Sequence, residues 1–138
     1  MVIFAPQRHF LMTKIIQNHT SEQLVKAVVD GMQERKAQEI TTIDLRNIPT
    51  AICDFFVICH GTSNTQVESI AESVGIEAKK QLNDRPLHVE GAQAAEWILM
   101  DYVDVVVHVF QETSRRFYNL EGLWADAEIS TVQESMTK

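Results

Sequence analysis

The stretch EWILMDYVDVVVHVF, Glu96 to Phe110, sets Glu96, Asp101, Asp104, Trp97, Tyr102 and His108 in a run that is otherwise almost entirely apolar. Two chemistries fit such a mixture. Closely set carboxylates can hold divalent cations for in-line phosphoryl transfer. Alternatively, an aromatic ring beside an acid makes an adhesive patch, with the ring as anchor and the acid as complement to Lys or Arg of a basic protein.

A second constellation is Gly61-Thr62-Ser63, which follows an apolar run and precedes a helix-like one. Backbone N–H groups at such a helix start, with the helix dipole behind them, can face a phosphate. The turn has a single Gly and no following Lys, so it is no Walker loop. It resembles the Gly-Ser turn of the nucleotidyltransferase fold, but the segment that follows, NTQVESIAESVGIEA, offers no D-x-D or D-x-E pair on a strand. A metal-dependent nucleotidyltransferase using Asp101, Asp104 and the Gly61 turn is therefore the alternative to a binding protein. His9, His19, His60, His88 and His108 show no metal-ligand spacing, and no G-x-S-x-G elbow occurs. His108, in mid-strand, reads as a structural histidine, and no cofactor is expected.

The elements that position these groups follow from pattern. Thr20-x-x-Gln23 matches a capping box and opens a helix to about Gln38, with Leu24, Val25, Val28, Val29 and Met32 as its apolar stripe. Ile40 to Arg46 alternates as a strand with Thr41, Ile43 and Leu45 on one face. Cys53 to Ser63 is a near-continuous apolar strand ending at Gly61, and Ser63-x-x-Gln66 is a second capping-box match, opening a helix through Leu82. Leu87 to Gly91 is a short strand. Glu96 to Phe110 then reads as a β-hairpin turning at Tyr102-Val103, with Asp101 opposite Asp104, Leu99 opposite Val106 and Trp97 opposite His108 on one side. Ile98, Met100, Val105, Val107 and Val109 share the other, purely hydrocarbon side. A last amphipathic piece places Phe117, Leu120, Leu123 and Trp124 at near-helical spacing, with Arg115 and Arg116 on a solvated helix face. The order α-β-β-α-β-β-β-α predicts the α/β (α+β) class: one domain with a mixed five-stranded sheet flanked by helices.

Composition narrows the partners. The 138 residues, 45% hydrophobic and 22% charged, suit one domain. Residues 1–19 are expected to form a flexible N-terminal arm, 20–127 the domain, and 128–138 a flexible tail. The N-terminal MVIFAPQRHFLM lacks the charged n-region of a secretory signal. Cys53 and Cys59 are too few for a disulfide scaffold, which suits a reduced, cytoplasmic setting. Asp101 and Asp104 interrupt the longest apolar run before it reaches the ~18 residues that span a bilayer, so no membrane partner is expected. The net charge of −7, with basic residues only in singles and pairs, disfavours a phosphate backbone and favours a basic protein surface.

Three segments, DFFVICHGTSNTQVESIAESV, EGAQAAEWILMDYVDVVVHVF and RRFYNLEGLWADA, give the span from Ser21 to Ala127 a specific resemblance. It is similar to the ribosomal silencing factor family, Iojap-related or RsfS, whose pattern is W-x-L-x-D-Y-G-D-V-x-V-H-V-F followed by R-x-Y-Y-x-L-E-x-L-W. The resemblance implies a nucleotidyltransferase-like fold without the catalytic carboxylates, and a non-catalytic binder. Such a protein docks on the large ribosomal subunit through ribosomal protein fourteen, with little or no direct rRNA contact. It blocks joining of the small subunit and lowers translation when nutrients are scarce. The implied contact surface falls on Trp97, Leu99, Asp101 and Tyr102, with Glu90 and Gly91 near its edge; Asp104 and His108 match as structural support. A homodimer of the free protein through the same hairpin is a further alternative.

One residue departs from the pattern. Val103 stands where the family turn D-Y-G-D has Gly, and a β-branched residue is strained at positive φ. A different turn type or a bulge is therefore expected, which shifts the position expected for Tyr102.

Overall fold

The first helix begins where the Thr20 side chain can replace missing backbone partners. Gln23 N–H donates to the Thr20 hydroxyl at 3.1 Å and Thr20 N–H donates to Gln23 Oε1 at 2.8 Å, so the predicted capping box is complete. In the computed structural model, which describes residues 19–132, this helix, α1, spans Ser21–Glu34 and buries Leu24, Ala27, Val28 and Met32. Of the arm expected at 1–19, only His19 is described; its side chain is packed, with Nε2 3.0 Å from Asp84 Oδ2. Residues 133–138 of the expected tail also lie outside the described residues.

The strands are β1 (Gln38–Asp44), β2 (Phe55–Gly61), β3 (His88–Glu90), β4 (Trp97–Asp101), β5 (Val105–Gln111) and β6 (Glu128–Thr131). Helix α2 spans Asn64–Leu82, and two short helices, α3 (Glu112–Tyr118) and α4 (Leu120–Leu123), follow β5. The sheet has six strands in the order β3-β4-β5-β2-β1-β6, one more than expected. Among the described strands only β2 and β5 pair in parallel, and the connection between them carries α2 and the β3–β4 pair. The mixed α+β class is as predicted. The sixth strand comes from Glu128–Thr131, polar but for Ile129 and at the start of the stretch expected to be tail, which pairs antiparallel with Thr41–Asp44. An exposed edge strand needs no apolar pattern, which is why periodicity gave no sign of it.

The hairpin differs in register. Trp97 pairs with Phe110, Leu99 with His108 and Asp101 with Val106, a slip of two from the expected pairing. Its turn is Val103-Asp104, closed by Tyr102 N–H donating to Val105 O at 2.8 Å. A slip of two leaves every side chain on its predicted face.

Those faces bury two cores. Against α1 and α2 lie Val57, Cys59, Ile98, Met100, Val105, Val107 and Val109. On the opposite face Ile43, Ile58 and Phe110 pack with Leu45 and Leu120, while Phe56, Trp97 and Trp124 are only partly covered. The C-terminal piece is not one amphipathic helix. Asn119, at φ 50°, breaks it into α3 and α4, which buries Leu120 but leaves Phe117 79% and Leu123 71% exposed.

Candidate functional site

The second sheet face is built by the alternate residues of β4. Trp97, Leu99 and Asp101 all point to it and all remain partly exposed, because the covering α3–α4 segment packs over β1, β2 and β5. Trp97 is held rather than loose. Its indole N–H donates to His108 Nδ1 at 3.0 Å, and its ring centroid lies 4.9 Å from Phe110 and 4.7 Å from Tyr118. An acceptor role at Nδ1 requires the neutral Nε2–H tautomer of His108. Burial keeps the ring neutral, pushing the imidazole down to about 4, and the indole N–H selects the tautomer.

Asp101 Oδ1 accepts from Val103 N–H at 2.8 Å, so this carboxylate shapes the turn as well as facing outward. Glu90 is exposed, and its carboxylate is hydrogen-bonded to the His88 ring. Gly91, at φ 82°, has a structural reason to be glycine: a Cβ there would sit 2.1 Å from the Trp97 carbonyl oxygen. Glu90 and Gly91 thus reach the edge of the face through the β3–β4 pairing, Glu90 opposite Leu99.

Tyr102 is corrected. It is fully buried, its phenol desolvated and its pKa raised, so it anchors the turn from within and offers no contact surface. Val103 adopts a positive φ of 78°, the strained region for a β-branched residue, and Asp104 N–H folds back to Tyr102 O at 2.9 Å around it. The turn is kept by its hydrogen bonds, with the strain left in Val103.

The constellation considered for phosphoryl transfer is not assembled. Asp101 lies opposite Val106 near the start of β5, whereas Gly61 lies opposite Gln111 at its end. At ~3.3 Å per residue, those positions are roughly 17 Å apart along the strand. The Gly61 turn is also filled from within: Ser63 caps α2 by accepting from Gln66 N–H, and Gln66 Oε1 accepts from Thr62 N–H at 2.8 Å. The second half of the predicted capping box therefore goes to Thr62 instead of Ser63. Among the described residues no group of three His, Cys, Asp or Glu side chains could hold a metal ion. Cys59 is buried, and desolvation lifts the Cys53 thiol up to about 12.

Sequence pattern also missed a buried polar hub. Arg115, expected on a solvated face, is 2% exposed. Its guanidinium donates to His60 Nδ1 at 3.0 Å, Glu39 O at 2.8 Å, Thr41 Oγ1 at 3.1 Å and Glu121 Oε2 at 3.1 Å. One side chain thus ties α3 and α4 to β1 and β2. Arg116 is the exposed one, bridging Glu39 and Glu112. Tyr118, which flanks Trp97, was likewise unassigned; the only signal was its place beside Phe117 in the C-terminal aromatic motif.

The geometry defines a class: an α+β domain whose sheet is sealed by two helices on one face and left partly open on the other around Trp97, Leu99 and Asp101. Residues 18–138 match the family described as ribosomal silencing factor during starvation. The chain is 39% identical over 111 residues to the ribosomal silencing factor RsfS of Halalkalibacterium halodurans, covering 78% of this chain and 91% of that one. A crystal structure of a protein from Chromobacterium violaceum is similar with a TM-score of 0.74 and 27% identity, covering 86% of this chain and 98% of that one. The mouse mitochondrial assembly of ribosomal large subunit protein 1 is 27% identical over 105 residues, 72% of this chain and 44% of its own length. The chain belongs to the ribosomal silencing factor family.

Proposed function

We propose that this protein is a non-catalytic ribosome-binding repressor that grips the large ribosomal subunit through ribosomal protein fourteen and keeps the small subunit from joining. It acts in the cytoplasm when nutrients are limiting, and it makes little or no direct contact with rRNA. The observation that carries the reading is the partly open face of β4 in a chain of this family: Trp97 and Leu99 supply a rigid apolar centre and Asp101 a carboxylate for Lys or Arg. Glu90 and Gly91 lie at its edge, and Tyr102 supports it from below. The family name and the large-subunit name of the mouse relative support the choice of particle.

Replacement of Trp97 tests the face. As a hot-spot anchor, Trp97→Ala weakens binding to isolated large subunits by about 2 kcal/mol or more, roughly thirtyfold. Unchanged affinity would remove β4 as the contact surface.

A further inference from the structure

The aromatic groups of the open face do not stop at β4. From buried His108 the rings run outward through Trp97 at 5.9 Å and Tyr118 at a further 4.7 Å to Phe117 at 5.0 Å. The chain of contacts ends on α3 with Phe117 79% exposed; Leu123, on α4, is 71% exposed. A contiguous exposed apolar patch, here Trp97, Tyr118 and Phe117 in successive ring contact, marks an interaction surface.

We infer that Phe117 and Leu123 form a second half of the docking surface, continuous with Trp97 through Tyr118, and that its occupant is a basic protein surface with an apolar centre. This rests on the reading above, since it extends the same face. Charge selects the occupant. The local cations are consumed internally, Arg115 by Glu121 and Arg116 by Glu39 and Glu112. The exposed carboxylates of Glu96, next to Trp97, and Asp126, two residues beyond Trp124, have no salt-bridge partner among the described residues. An apolar patch that carries Asp101 on the same sheet face, in a chain of net charge −7, repels a phosphate backbone and attracts Lys and Arg. A second copy of this chain, itself at −7, would set acid against acid.

Arg115 is the positioning residue of this half. It fixes α3, and with it Phe117, to the sheet through His60 and the Glu39 carbonyl.

The test compares wild type with Phe117→Ser, Leu123→Ser and Trp97→Ala for binding to purified large subunits. Free-protein mass is followed by light scattering, and folding is checked by thermal melting. Phe117 and Leu123 lie outside both cores, so their variants melt as wild type does. The expected result is an affinity loss of tenfold or more for Phe117→Ser, a smaller loss for Leu123→Ser, and a monomer throughout. Wild-type affinity in both variants, with Trp97→Ala still weakened, overturns the extension and leaves the β4 reading standing. Loss of a free-protein dimer in Phe117→Ser, with ribosome binding intact, assigns the patch to a second copy and overturns it equally. No binding by the wild type removes the reading on which the extension rests.

Discussion

The indole N–H of Trp97 donates to Nδ1 of His108 at 3.0 Å, a diagonal contact between adjacent strands whose direct pairs are Trp97 with Phe110 and Leu99 with His108. The histidine orients the indole only while neutral, because an imidazolium has no acceptor at Nδ1. Protonation would therefore release the anchor of the open face and place a charge in the core.

This makes stability depend on pH in a defined direction. The His108 pKa falls from an ordinary 6.5 to about 4 on folding, so the unfolded chain binds more protons between those values. The contribution is fully present above pH 6.5 and is lost as pH falls toward 4, amounting to about 3 kcal/mol in total. Desolvation and Arg115 depress His60 in the same sense. Denaturant unfolding at pH 7 and pH 4.5 should show a clearly smaller acid loss in His108→Asn, whose amide oxygen can still accept from the indole. Equal losses in the two proteins would remove His108 as the cause.

Val103 holds a φ of 78° that favours glycine. Val103→Gly relieves strain of about 1–3 kcal/mol, partly offset by the greater freedom of Gly in the unfolded chain. The expected net is a stabilisation of about 1 kcal/mol, read as a higher melting temperature with ribosome binding unchanged. A lower melting temperature would show that the valine side chain contributes more packing than its backbone loses.

Arg115 joins four elements through a buried guanidinium. Arg115→Met leaves His60 Nδ1 without its donor and Glu121 without its cation, while the Glu39 carbonyl keeps only the Thr41 hydroxyl as donor, a loss of about 3 kcal/mol. Arg115→Lys recovers little, since one ammonium cannot reproduce the planar fork. Equilibrium unfolding measures both, and near wild-type stability in either variant contradicts the hub.

Gly31 and Gly75 should respond oppositely to alanine. A Cβ on Gly31 would lie 2.7 Å from Val74 Cα, backbone that cannot step aside, so Gly31→Ala forces α1 and α2 apart and loses about 1–3 kcal/mol. At Gly75 the nearest atom is Met100 Cε at 3.8 Å, and Gly75→Ala gains up to about 1 kcal/mol of helix propensity. Matching effects at the two sites would contradict the close approach of α1 and α2 at Gly31.

Sequence pattern was most informative where one residue type has one local use. Thr20 and Gln23 could be read as a cap because their hydrogen bonds lie within one turn. The faces of β4 and β5 could be assigned because alternation fixes them. The hairpin register could not, since a period of two is blind to a slip of two. Tyr102 could have faced either way, being both a common interface residue and a large core one. Arg115 was missed because its partners Thr41 and His60 are 74 and 55 residues distant, beyond any periodicity. Val103 shows the limit in the other direction: a strained residue persists because neighbouring hydrogen bonds hold the turn.

The central claim is tested most directly by sedimenting the purified protein with separated ribosomal subunits under conditions where they associate. Co-migration with the large particle alone, together with loss of the joined peak in proportion to the protein added, is the predicted result. Association that proceeds undiminished, or protein travelling with the small particle, would contradict it.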